Sequence, residues 1–263
     1  MEEYISDNSL YIRSKNNSVI NRKMIGRVLG MLLFIELGMF LLCAGVSAGY
    51  GESDYKYFLY TCIINAVVGG LLLLYGRGAE NKMSRRDGYC VVTLSWVFFT
   101  FFGMLPFYFS GSIDTITNAF FETMSGFTTT GATILDDIES LSHGMLFWRS
   151  LTQWIGGLGI VFFTIAILPI FTTGGVQLFS AESTGVTHDR THPKINVMAK
   201  WLWTIYLVLT VSETVLLMFG GMSLFDAICQ SFATTATGGY STKQNSISYW
   251  NSPYIEYVVA IFM

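Results

Sequence analysis

The chain has 263 residues, 52% of them hydrophobic and 13% charged, with a formal net charge of −3. Soluble domains carry roughly 25% charged residues, so depletion on this scale, in long blocks, excludes an ordinary soluble globule and points to a bilayer. The slight acidic balance adds little, and no nucleic-acid partner is expected. About 23 polar residues precede the first apolar run and no cleavage-like end follows it, so the start does not read as a cleavable signal. Taking about 20 apolar residues as one span, complete candidates lie near 26–48, 57–76, 89–110, 145–170 and 197–220. A sixth begins near Pro253 and reaches Met263 after about 11 residues, roughly 16 Å of helix against a hydrocarbon core of about 30 Å. The expectation is an N-terminal part of a longer protein. Its organisation reads as a cytoplasmic segment 1–25, a transmembrane hairpin 26–80, a first repeat 81–172, a cytoplasmic linker 173–195 and an incomplete second repeat 196–263.

Basic residues cluster in alternate loops. Arg13, Lys15, Arg22, Lys23 and Arg27 precede or open the first span, Arg77, Lys82, Arg85 and Arg86 follow the second, and Arg190, Lys194 and Lys200 precede the fifth. The positive-inside rule places all three groups, and the N-terminus, in the cytoplasm. The other loops face outward and carry Glu52 and Asp54, then Asp136, Asp137 and Glu139. The second acidic group reads either as a solvated loop or as a means of raising cation concentration at a mouth.

Between the spans a pattern occurs twice. Thr115 to Phe127 and Ser223 to Thr235 are apolar but too short to cross, which suits re-entrant segments. Each leads into a small-residue loop, Thr129-Thr130-Gly131 and Thr237-Gly238-Gly239. Without gaps, Ala119 falls on Ala227, Thr129 on Thr237 and Gly131 on Gly239. A short helix entering from outside points its C-terminus at the membrane centre, where the helix dipole favours a cation. A chain returning with carbonyls facing one axis needs unusual backbone angles, which suits Gly131, Gly238 and Gly239. Thr129 and Thr237 hydroxyls add oxygens at the inner end. Such loops suggest backbone carbonyls lining an ion path; the bland alternative is a pair of Gly/Thr surface turns.

Intramembrane polar residues are costly and therefore candidates for function. Glu36 sits within the first span and Glu213 deep in the fifth, the latter with no partner assignable from sequence. Glu122, on the first short segment, is expected to pair with Arg149 and brace the loop from behind; Gln153 lies one turn further on. Gly156-Gly157-Leu158-Gly159 reads as close helix packing, with a hinge as the alternative, and Gly26 and Gly30 form a weaker pair of the same kind. Cys43, Cys62, Cys90 and Cys229 all lie in apolar stretches without paired spacing, so neither a disulfide nor a metal site is expected. His188 and His192 lack ligand context. The Thr172–Gly185 segment lacks the Gly-Lys-Ser/Thr ending of a phosphate loop and reads as a docking or connecting segment.

Four blocks, in order, resemble a known family: Phe121–Thr133, Phe147–Ile160, Gly174–Glu182 and Phe225–Thr242. They are similar to the TrkH-type subunit of the Trk/Ktr/HKT potassium transporter superfamily, over about residue 90 to the end. The first two spans correspond to an extra N-terminal pair. The resemblance implies an all-α membrane protein of repeated span–pore helix–filter loop–span units, with four repeats around one pore, of which this chain holds about one and a half. It implies a filter at Thr129, Thr130, Gly131, Thr237, Gly238 and Gly239, with K+ held at Thr129, Thr130, Thr237 and Gly238, and with Glu122 and Arg149 as support. Potassium is then the substrate and no covalent cofactor is involved. A homodimer seated on a cytoplasmic ring of nucleotide-binding regulatory subunits, in a bacterial inner membrane, is implied as well. In HKT relatives Ser at the first filter Gly goes with sodium; Gly131 stands there, which favours potassium. Ala132 departs from the aromatic of potassium-channel filters. A sodium or weakly selective cation pathway is the alternative within transport. A membrane scaffold or enzyme is the alternative outside it, though the sequence shows no catalytic constellation.

Overall fold

The computed structural model describes residues 20–79, 85–159 and 192–263. The regular structure among those residues is all helical, with no strand. In chain order the helices are α1 (Arg22–Gly49), α2 (Tyr55–Tyr75), α3 (Arg85–Gly103), α4 (Leu105–Ser110), α5 (Ile116–Phe127), α6 (143–159), α7 (His192–Phe219), α8 (Leu224–Thr235) and α9 (Pro253–Phe262), with a 3-10 turn at Ser246–Trp250 before α9. By length and composition four stretches among the described residues could cross a membrane: Arg22–Gly49, Tyr55–Tyr75, Arg86–Ser110 and Lys200–Phe219. The expected span 145–170 is described only to residue 159, and most of the expected linker 173–195, with His188, lies outside the described residues.

The third crossing is broken between α3 and α4. Pro106 sits in the first turn of α4, where a missing N–H costs nothing, and Trp148 Nε1 of α6 donates to Gly103 O at the break (2.8 Å). Gly111 then ends α4 in the left-handed region (φ 72°).

The chain divides into two compact units, and the division falls within α1, α2 and α3. Of the described residues, one takes in those up to Leu37 together with those within Ile63–Phe99; the other takes in Gly38–Cys62 and those within Thr100–Met263. In the first unit α1 and α2 meet at glycines: a Cβ on Gly30 would come within 2.9 Å of Gly69 O. Small residues let helix backbones approach this closely in a membrane. Glu36 is fully buried there and accepts from Asn65 Nδ2 at 3.0 Å, the structural hydrogen bond that a carboxyl in this position needs.

In the second unit an aromatic core is built from Phe40, Phe58, Phe127 and Trp148, with Phe40 and Trp148 ring centroids 4.6 Å apart. A second cluster joins α7, α8 and α9 through Leu217, Met222, Ala227, Ile255, Val258 and Val259. Burying Ile and Leu side chains of this kind is worth about 1.5–3 kcal/mol each in water; in lipid the gain comes from packing. Most of the buried residues of α5 and α8 are small, Ala119, Thr123, Ser125 and Gly126 on one and Ala227, Cys229, Ser231, Ala233 and Thr234 on the other, with Glu122, Phe127 and Gln230 the larger exceptions. Such residues let both short helices sit deep among larger neighbours.

Candidate functional site

The two short helices repeat one another in detail. Each has 12 residues. Each opens on a hydroxyl cap: Thr115 Oγ1 accepts from Asn118 N (3.2 Å), and Ser223 Oγ from Asp226 N (3.1 Å). Such caps satisfy amides that the first turn leaves free. In the ungapped alignment that sets Thr129 on Thr237, Thr115 falls on Ser223.

Each also closes in the same way. Thr129 N donates to Gly126 O and Thr130 N to Ser125 O; Thr237 N donates to Thr234 O and Gly238 N to Ala233 O. These paired bonds are a Schellman motif, in which the residue just past the helix cap is left-handed and usually glycine. Here it is threonine both times, with φ 54° at Thr129 and 51° at Thr237. A β-branched residue in that region is an outlier costing about 1–2 kcal/mol. Two such outliers at equivalent positions mark a constrained site.

Two residues later the backbone is left-handed again, at Gly131 (φ 74°) and Gly239 (φ 83°), whereas Thr130 and Gly238 between them are not. Alternating handedness turns successive N–H groups to one side of the chain and successive carbonyls to the other. The sequence expectation of positive φ at Gly131 and Gly239 therefore holds, and that at Gly238 is corrected. Gly238 is glycine for want of space, since a Cβ would overlap the Gln153 amide. The left-handed share expected of Gly238 falls instead to the two threonines.

The loops lie side by side. A Cβ on Gly131 would run into Gly238 O. Thr128 and Thr130 hydroxyls are 2.9 Å apart, both exposed. Thr237 and Gly239 are exposed as well, while Gly238 is buried.

Helix α6 holds both loops from behind. Arg149, Gln153 and Gly156 are spaced by four and three residues, so they share one face. Arg149 Nε donates to Glu122 Oε1 at 2.8 Å, with both side chains buried. Its Nη1 donates to Ser241 O (3.0 Å), and its guanidinium lies 3.6 Å over the Tyr240 ring. Glu122 also accepts from Thr133 Oγ1 (2.9 Å) and Ile134 N (3.0 Å). The carboxylate thus takes three donors, the condition under which a buried charge is tolerated. One turn on, Gln153 Oε1 accepts from Tyr240 N (3.1 Å). A Cβ on Gly156 would meet Phe127 O, and one on Gly157 would come within 3.0 Å of Ala236. These glycines serve close packing of α6 on the ends of α5 and α8.

Glu122 and Arg149 are therefore brought together, as are the Thr129–Gly131 and Thr237–Gly239 loops. Glu213 is fully buried on α7, and its carboxyl oxygens have no hydrogen-bond partner among the described residues. The acidic group after the first loop is largely engaged: Asp137 Oδ1 accepts from Glu139 N and Ser140 N, and Glu139 pairs with Lys243 (3.5 Å) and accepts from Gln244 N. Only Asp136 among the three is exposed without such a contact. No group of three or more His, Cys, Asp or Glu suited to a metal ion occurs among the described residues, and the four cysteines form no disulfide with one another.

Glu52 caps α6. It accepts from His143 N (2.9 Å), His143 Nδ1 (2.8 Å) and Gly144 N (3.3 Å). Burial works to raise its carboxyl, but these bonds outweigh it and hold Glu52 below the ordinary carboxylate range.

Sequence reasoning passed over Tyr240 and Ser125. Tyr240 is the aromatic of the second loop and falls on Ala132 of the first; that mismatch was the available signal. For Ser125, a small polar residue on a helix face, the sequence carried none.

Residues 55–263 match the family described as TrkH, cation transport protein. The chain belongs to the TrkH family. It is 42% identical over 241 residues to the Trk system potassium uptake protein TrkH of Escherichia coli (strain K12), covering 91% of this chain and 50% of that protein. It is 37% identical over 243 residues to the protein of the same name from Halomonas elongata, covering 92% and 50%. Among solved structures, the potassium transporter TrkH from Vibrio parahaemolyticus matches with a TM-score of 0.80 and 34% identity, covering 91% of this chain and 48% of that one. The chain thus spans about half the length of these TrkH relatives. Membership of the TrkH family and the four span-like stretches make it a membrane protein.

Proposed function

We propose that the chain forms part of a potassium uptake pathway across a bacterial inner membrane. The Thr129–Gly131 and Thr237–Gly239 loops are its share of a selectivity filter, and K+ is held by their backbone carbonyls. The observation that carries this reading is the repeated, alternating left-handed backbone of two adjoining loops, each placed at the C-terminal end of a short helix. Aligned carbonyls replace an ion's water, and the negative ends of two helix dipoles favour a cation at the same place. The pathway does no covalent chemistry. Glu122 and Arg149 act as the brace that keeps the loops in register. The names of the relatives, potassium uptake proteins of Trk systems, supply the choice of potassium.

In this reading the N-terminus is cytoplasmic, 26–80 is an extra hairpin, 81–172 is one pore repeat and 196–263 most of another, joined by the cytoplasmic linker 173–195. The homodimer and the ring of nucleotide-binding regulatory subunits are carried over from the family resemblance. The test is Gly131→Ser, in protein expressed from its complete reading frame in cells lacking their own potassium uptake. The added side chain must displace Gly238 O at a left-handed position, so rubidium uptake should fall and the rubidium-to-sodium ratio with it. Unchanged uptake and ratio would reject the filter, and sodium carried as fast as rubidium by the unmodified protein would reject potassium as the substrate.

A further inference from the structure

The two loops are not equivalent at the position after the second left-handed glycine. The first has Ala132 there and the second Tyr240. Tyr240 is 1% exposed, and its ring is fixed by the Arg149 guanidinium 3.6 Å above it and by the bond from its own amide to Gln153 Oε1. The ring therefore has little freedom, and its far end does not stay with its own loop. The hydroxyl reaches across, 2.8 Å from Glu122 O and 3.3 Å from Ala132 O. Ala132 O is held from its own side by Ser125 Oγ at 2.6 Å. The phenol has one hydrogen, so Glu122 O is its main acceptor and Ala132 O the second, weaker one; together with the bond from Ser125 Oγ, this turns Ala132 O into the protein.

From this geometry we infer that Tyr240 is a positioning residue for ion selectivity. It serves both loops at once, setting their separation by the length of a rigid phenol whose one proton ties it to Glu122 O on the first short helix and, more weakly, to Ala132 O at the end of the first loop. It supplies from the second loop the aromatic that the first lacks at Ala132. The inference rests on the reading of these loops as a filter. A structural role alone predicts that loss of the hydroxyl changes stability; the positioning role predicts that it changes discrimination between cations. A flexible filter still strips water from an ion but distinguishes sizes less well.

The test is Tyr240→Phe, which keeps the ring, its packing and the guanidinium contact and removes only the oxygen. Rubidium and sodium uptake are measured side by side with the thermal unfolding of the purified protein, and with Gly131→Ser as the reference for the filter itself. The expected result is a fall in rubidium-to-sodium ratio of roughly fivefold, about the factor one hydrogen bond is worth, with the unfolding midpoint lowered by no more than a few degrees. Ser125→Ala should lower the ratio in the same direction, because it frees the same carbonyl. A normal ratio in Tyr240→Phe beside a collapsed ratio in Gly131→Ser would overturn the role of Tyr240 and leave the filter standing. A normal ratio in both would overturn the filter and this inference with it. Loss of folded Tyr240→Phe protein, with a normal ratio in Ser125→Ala, would make the hydroxyl a structural bond and overturn the positioning role.

Discussion

Arg149→Met is the sharpest perturbation of the brace. The Arg149 and Glu122 side chains are 2% and 0% exposed, so removing the guanidinium leaves a buried carboxylate with two neutral donors, Thr133 Oγ1 and Ile134 N. Breaking one partner of a buried pair costs about 3–5 kcal/mol, because the remaining charge is uncompensated. The contacts of Arg149 with Ser241 O and the Tyr240 ring vanish in the same step and are part of that cost. At roughly 2–4 °C per kcal/mol for a chain of this size, the unfolding midpoint should drop by on the order of 10 °C. Methionine keeps the length and apolar volume of the stem, which separates charge from packing. Adding Glu122→Gln should recover part of the loss, with a coupling of about 2 kcal/mol or more in the double-mutant cycle. The assay is heating of detergent-solubilised protein followed by size-exclusion chromatography, for the parent, both single variants and the double. Arg149→Met within about 0.5 kcal/mol of the parent, or a double variant that simply sums the two losses, would refute the reasoning.

Two more outcomes follow from the same geometry. Thr129→Gly and Thr237→Gly relieve a left-handed β-branched residue and should each raise stability by up to about 1 kcal/mol while lowering the rubidium-to-sodium uptake ratio; a fall in stability would show that the threonine side chains, not the backbone, hold these corners. Glu52→Gln should destabilise the protein by about 1–3 kcal/mol at neutral pH, since it weakens a charge-assisted cap on α6. The Glu52 carboxyl is held below its ordinary value when folded. Its contribution is therefore present above the unfolded value of about 4.3 and is lost as pH falls through the lower folded value. The gap in unfolding midpoint between parent and Glu52→Gln should close only below about pH 4; a gap already closed at pH 6 contradicts the cap.

Much of this was legible because two physical signals are strong in membrane sequences. Apolar length located α1, α2, α7 and the third crossing, and the short segments before the loops matched α5 and α8 to within a residue at either end. The Glu122–Arg149 pair could be anticipated because two opposite charges in apolar company have few ways to be tolerated. What stayed hidden depends on three-dimensional neighbours. That Thr129 and Thr237 are left-handed contradicts their residue type and is forced by the paired bonds closing each short helix. That Gly238 is glycine to make room for Gln153 requires knowing that α6 lies against the second loop. The reach of Tyr240 to Ala132 O spans two loops more than a hundred residues apart in the chain, and no local pattern encodes it. The break at Met104 was missed, 89–110 being read as one span although Pro106 carries a signal of interruption, and its repair by Trp148 had no signal at all.

The central claim is that cations pass along the carbonyls of the Thr129–Gly131 and Thr237–Gly239 loops. The most direct measurement is anomalous diffraction from crystals of the protein, expressed from its complete reading frame and grown in rubidium salt. The account predicts a rubidium peak at coordinating distance from the backbone oxygens of Thr130 and Gly238. Peaks confined to other parts of the molecule, with these carbonyls bare, would contradict it.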